Sequence, residues 1–218
     1  MALGTVWLVG ATGLTGRETL KELLASDQVG RVVVWVRRPT GMSHDKLVER
    51  VVDFERLEAA FPAQDESADA AICCLGTTMK SAGSKERFRR VDHDYVLAFA
   101  RAAKMAGART FVVVTAMGAS SSSAFFYNRV KADVEDDLAS LAFESLVIAR
   151  PSLLVGERSR QRAGEKLMGP IMRFLPARYR AIEGERVARA LVRLAEDAAS
   201  APTPRRVVLS DELQILGG

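Results

Sequence analysis

Short apolar runs alternate with longer amphipathic stretches along this chain. Residues 6–10, 32–36, 51–53, 70–75, 111–115, 146–149 and 207–209 are each almost continuously apolar and bounded by turn-forming residues. Runs of that length suit strands covered on both faces. Between the first two, Leu20, Leu23 and Leu24 fall on one face of a helix. Phe88, Val91, Tyr95, Val96, Phe99, Ala102 and Ala103 mark a longer central helix, with Gly107 as its stop. Residues 124–141 and 184–195 also carry helical patterns. Strand–helix alternation of this kind predicts an α/β fold: a doubly wound, mostly parallel Rossmann-like sheet with right-handed crossovers.

Residues 156–180 break the pattern, being rich in arginine and interrupted by Gly164, Gly169, Pro170 and Pro176. They read as a mobile C-terminal cap on a single domain spanning 1–218, with substrate and cap elements mainly in 151–204. There is no internal repeat and no linker. The serines at 120–123 form a short loop-like patch.

Composition narrows the partners more than it alters the fold. With 218 residues, 48% of them apolar, the chain can bury a full core. Its net charge of +4 is spread among interspersed acids without a basic tract, which argues against nucleic acid. No apolar run reaches membrane-spanning length, and the first residues lack the charged start of a secretion signal. The two cysteines, Cys73 and Cys74, are adjacent inside an apolar run, as small buried hydrophobes in a reducing cytoplasm would be. The arginine pairs Arg37-Arg38 and Arg89-Arg90 suit a small anionic partner.

The chemistry begins after the first strand. Gly10, Gly13 and Gly16 have the spacing of a dinucleotide-binding turn that opens a helix, with Thr12 and Leu14 between them. Gly10 would permit the turn, Gly13 the approach of the pyrophosphate, and Gly16 close helix packing. The second strand ends in Arg37 and Arg38 with no carboxylate at its tip, which favours the 2′-phosphate of NADP(H) over NAD(H). Asp53 stands where it could meet an adenine or simply cap a loop. Leu75, Gly76 and Thr77 end the fourth strand, where a cofactor crosses an open sheet. Tyr127 and Lys131 are four residues apart on one helix face, a phenol whose pKa the ammonium would lower for proton transfer. Thr115, at the end of the fifth strand, offers a hydroxyl to orient a substrate carbonyl.

Together these motifs resemble the short-chain dehydrogenase/reductase superfamily in its atypical NAD(P)-binding branch. Cys74-Leu-Gly-Thr-Thr78, Val91-Asp-His-Asp-Tyr-Val96, Tyr127-Asn-Arg-Val-Lys131-Ala-Asp-Val-Glu135 and Arg150-Pro-Ser-Leu-Leu154 are most similar to the Tat-interacting-protein-like oxidoreductases. The resemblance implies that Tyr127 is the catalytic acid/base, Lys131 its partner and a ribose contact, and the loop from Pro151 a cofactor and substrate contact. This chain departs from the family in reading Thr115-Ala116 where two serines are common. Where other superfamily members use an asparagine it offers Asp92, His93 and Asp94. A metal at His93 is disfavoured, since consecutive helical residues diverge and the other histidine, His44, is distant.

The leading expectation is an NADP(H)-dependent reductase, or reverse dehydrogenase, of a carbonyl or enone. Arg158, Arg160 and Arg162 in the cap would suit an anionic substrate. A catalytically weak NADP(H)-binding regulatory module is the first alternative. A nucleotide-sugar epimerase is the second, although few residues follow Pro151 to build a substrate domain. A homodimer through the helices after the fourth and fifth strands would use Phe99, Phe125 and Phe126, which serve equally well as core.

Overall fold

The computed structural model describes residues 3–57, 67–156 and 176–218. Its strands are β1 (Leu3–Val9), β2 (Val29–Val36), β3 (Leu47–Val51), β4 (Ala70–Cys73), β5 (Thr110–Val114), β6 (Ser145–Arg150), β7 (Leu154–Val155), β8 (Ile182–Glu183) and β9 (Arg206–Leu209). Seven of them form one sheet in the order β3-β2-β1-β4-β5-β6-β9, parallel throughout, while β7 and β8 pair separately. The helices are α1 (Leu14–Ala25), α2 (Met79–Ala82), α3 (Lys85–Arg89), α4 (Tyr95–Met105), α5 (Phe126–Ser140), α6 (Gly184–Ser200) and α7 (Ser210–Leu216).

Strand side chains alternate between two cores. Val6, Leu8, Val32, Val34 and Ile72 face α1, α6 and α7, while Trp7, Val9, Val33, Trp35 and Phe111 face α4 and α5. Because both faces are covered, the strands read as unbroken apolar runs. Trp7 lies 5.0 Å from Trp35 between ring centroids, and Phe99 is fully buried beside them as core.

The chain winds outward from β1 to β3, then returns across β1 to begin β4. This reversal opens a crevice beyond the carboxyl ends of β1 and β4, the place where doubly wound sheets bind ligands.

Four elements differ from the sequence expectation. The third strand is Leu47–Val51 rather than 51–53. It is an edge strand paired only to β2, so it tolerates Glu49 and Arg50, whose charges hide its pattern. The central helix is divided into α3, a π-helical turn at Arg90–Asp94, and α4. α6 continues to Ser200, beyond the expected end at 195, because no Gly or Pro interrupts it before Pro202. The seven residues of α7 are too short to show a helical period.

Candidate active site

The turn after β1 is built by glycines at the two positions that need them. Gly10 has φ +83°, and a Cβ there would lie 2.5 Å from the carbonyl carbon of Cys74 at the end of β4. A Cβ on Gly16 would lie 2.1 Å from the Gly10 carbonyl oxygen. The absence of both lets the ends of β1 and β4 touch and α1 press against the turn. Gly13 donates its N–H to Gly10 O at 2.9 Å and precedes α1 without a side-chain cap. The first turn of α1 holds no acidic residue, so its N–H groups are available to an anion. These features fit a pyrophosphate.

A cleft of about 330 Å³ runs from this turn across β4 and β2. Gly10, Thr12, Gly13, Arg37, Leu75, Gly76 and Thr77, all expected from the sequence to hold cofactor, line it. Arg37 lies over the Phe54 ring at 5.9 Å, and Phe54 meets Tyr95 edge-on at 5.8 Å. The Tyr95 hydroxyl donates to Glu55 at 2.7 Å.

The remaining expected contacts lie outside the lining. Leu14 is half-exposed, its side chain against the backbone of Gly156 and Gly184. Arg38 is exposed beside the cleft. Pro151 is buried, and its carbonyl accepts from Met117 N–H at 2.9 Å, joining the loops that follow β5 and β6. Asp53 accepts from Glu55 N–H at 2.9 Å, capping the 3-10 turn Phe54–Arg56. This is the loop-capping role open to it from the start.

One contact escaped the sequence reading. Arg87 also lines the cleft, in series with Val91 and Tyr95. The i, i+4, i+8 spacing of the three was the available signal. Neither Arg37 nor Arg87 has an ion-pair partner among the described residues.

Lys131 and Asp92 lie beneath Gly76. Their side chains pair at 2.8 Å with relative exposures of 4% and 1%. Asp92 also accepts the Thr77 N–H at 2.9 Å. A Cβ on Gly76 would stand 3.5 Å from an Asp92 carboxylate oxygen and 3.9 Å from Lys131 Nζ, so the bare glycine backbone separates the pair from the cleft. Tyr127 sits one turn before Lys131, whose Nζ is 6.0 Å from the phenol ring centroid. The ring packs on Phe88 at 5.3 Å.

Lys131 lowers the Tyr127 pKa as expected, but the net shift is upward. Burial raises the pKa and outweighs the lowering by Lys131, and the Asp92 carboxylate adds to the rise. Burial likewise raises Asp92 against the opposing effects of Lys131 and the Thr77 N–H. Burial pushes the Cys74 thiol in the cleft up to about 12, leaving it protonated and unreactive at neutral pH.

Thr115 does not supply the free hydroxyl expected of it. It is buried and donates its single O–H to Glu135 Oε1 at 2.7 Å. Glu135, two turns after Tyr127 on α5, also receives Arg150 from the end of β6, with Nε at 3.0 Å from Oε1 and a terminal nitrogen on Oε2. This buried carboxylate therefore ties β5, α5 and β6 together below the site. Glu135→Ala would strand Arg150 and Thr115 and is expected to cost about 3 kcal/mol. Urea unfolding checks this, and a loss under about 1 kcal/mol would contradict the network's importance.

His93 is buried in the π-helical turn, with Nδ1 2.8 Å from Asp94 and Nε2 2.9 Å from Asp137 on α5. Among the described residues no group of three or more His, Cys, Asp or Glu side chains could hold a metal. No described helix is long and apolar enough to cross a membrane. Arg158, Arg160 and Arg162, with most of the expected cap, lie outside the described residues.

With the turn, the cleft and the Tyr127–Lys131 pair assembled, comparison with known proteins decides the family. A model described as NAD(P)H-binding matches residues 10–198. The chain belongs to that NAD(P)H-binding family. HTATIP2 of Rattus norvegicus is 38% identical over 175 residues, covering 79% of this chain and 72% of that protein. A protein of Eremothecium gossypii named FMP52, mitochondrial, is 40% identical over 157 residues, 72% of this chain and 69% of that one. Among solved structures, a short-chain dehydrogenase family protein from Francisella tularensis superposes with a TM-score of 0.73 at 13% identity, covering 98% of this chain and 99% of its own. Membership accounts for the glycine turn, and the structural likeness agrees with the Rossmann-like fold.

Proposed function

We propose that this protein is an NADP(H)-dependent oxidoreductase acting on a carbonyl or enone of a small molecule. The observation that carries the reading is the arrangement in and behind one cleft. Arg37 stands at the end of β2 beside the glycine turn, and the buried Lys131 lies below Gly76 with Tyr127 one turn away. When bound, NADPH supplies the hydride. The glycine turn and the α1 N-terminus would hold the pyrophosphate, and Arg37, with Arg38 beside it, the 2′-phosphate. Tyr127 gives its hydroxyl proton to the carbonyl oxygen as the neighbouring carbon receives the hydride, and it is reprotonated from solvent. Lys131 keeps a positive charge behind that transfer.

The test is NADPH consumption with a panel of aldehydes, ketones and enones, repeated with NADH. An Arg37→Ala/Arg38→Ala double variant is expected to lose at least about 10-fold in kcat/KM for NADPH while leaving NADH almost unchanged, since each charge-assisted hydrogen bond contributes about 1.5–3 kcal/mol. An unchanged ratio of the two would remove the NADP(H) assignment.

A specific observation favours a second reading, a cofactor-binding regulatory module with little turnover. Thr115 is committed to Glu135, and its neighbour Ala116 has no hydroxyl. On that reading NADPH binds and no substrate in the panel is reduced. The expectation of a cytoplasmic location has a counterpart in the mitochondrial name of the fungal relative. Two free cysteines suit either reducing compartment.

A further inference from the structure

We propose that Asp92 is a positioning residue that docks Lys131 beneath Gly76 and offsets its charge, so that the Tyr127 phenol is held as a proton donor rather than as a base. This rests on the oxidoreductase reading for its consequence, but not for its geometry. Asp92 sits in the π-helical turn between α3 and α4, a widened turn of a kind often found at functional sites. One carboxylate oxygen stands 2.8 Å from Lys131 Nζ as an ion pair without hydrogen-bond geometry, and the other accepts the Thr77 N–H at 2.9 Å. The carboxylate is thereby held between the end of β4 and α5 by one hydrogen bond and one ion pair.

The choice of residue matters here. An asparagine at this position would also accept from Thr77, but it would carry no charge. With the carboxylate at hydrogen-bond distance, the ammonium is half of a neutral pair in a site almost without solvent, and its attraction for a developing phenolate is largely cancelled. The groups that face Tyr127 agree in sign. Lys131 on its own helix favours ionisation, Asp92 from the π-helical turn opposes it, and desolvation opposes it most. The ring packed against it from α3 is the uncharged Phe88. Beneath the pair, the Cys73 thiol at the end of β4 feels both charges and is itself raised by burial, so it remains neutral.

The direction of chemistry follows. A phenol that keeps its proton through neutral pH is prepared to protonate a carbonyl oxygen, and it is poorly prepared to remove the proton of an alcohol.

The test is an ultraviolet titration of tyrosinate in the protein without cofactor or substrate, with the curve of the Tyr127→Phe variant subtracted. In the wild type, Tyr127 is expected to ionise above the ordinary phenol value of about 10. In Asp92→Asn its ionisation constant is expected to rise at least about 10-fold. In Asp92→Asn/Lys131→Met the gain is expected to vanish, because the Lys131 charge that Asp92 offset is removed as well. If Asp92→Asn does not fold, by circular dichroism, Asp92→Ser removes the same charge and takes its place. An unshifted curve in the charge-removing variant, or a wild-type phenol that ionises below the ordinary range, would overturn the proposal. Neither result depends on finding a substrate, so a failed search for turnover leaves this test standing.

Discussion

Tyr127→Phe is expected to lower carbonyl reduction by about 10²–10⁴-fold, the usual contribution of a positioned proton donor, while changing NADPH affinity by less than about twofold. The substitution removes one oxygen and keeps the ring that packs on Phe88 at 5.3 Å, so the site loses chemistry and not shape. The separation between kcat and binding is what gives the variant its force. Tyr127 does not line the cleft that begins at the glycine turn, and its link to that cleft runs through Lys131 and Gly76. A parallel loss of cofactor affinity would mean that the phenol supports the binding site. Unchanged turnover would assign proton transfer to another group or to water.

Gly16→Ala is expected to weaken NADPH binding by about 100-fold, equivalent to about 2.7 kcal/mol, and to lower the melting temperature as well. The added methyl would meet the Gly10 carbonyl oxygen at 2.1 Å, its carbon at 2.7 Å and the Ala11 nitrogen at 3.1 Å. All three are backbone atoms, so no side chain can rotate out of the way, and α1 has to move off the turn. Gly13→Ala is the informative contrast. Its methyl would come near only the Gly10 oxygen, at 3.3 Å, and otherwise enters open space. It should leave the melting temperature almost unchanged while obstructing the pyrophosphate. Calorimetric titration and thermal melts on both variants separate packing from ligand contact.

Most of the sheet could be read from the chain because strands buried on two faces leave long apolar runs, as at β1, β2 and β5. The edge strand β3 could not, since solvent on one side allows Glu49 and Arg50 to break the run. The glycine turn was legible for a related reason: the clashes that Gly10 and Gly16 avoid are with backbone, and only glycine avoids them. Side-chain partners were less accessible. Thr115 stands at the end of β5, where the sequence suggested a hydroxyl for the substrate, but its proton goes to Glu135, 20 residues away. Asp92 and Lys131 are separated by the whole of β5, so their pairing had no local signature. The effect on Tyr127 depended on burial as well as on its lysine neighbour, and spacing records only the neighbour.

Calorimetric titration of the wild-type protein with NADPH and with NADH tests the cofactor assignment most directly. Saturable binding of one NADPH per chain, at least about 10-fold tighter than NADH, is the expected result. No binding of either would contradict it, leaving the glycine turn a packing device alone.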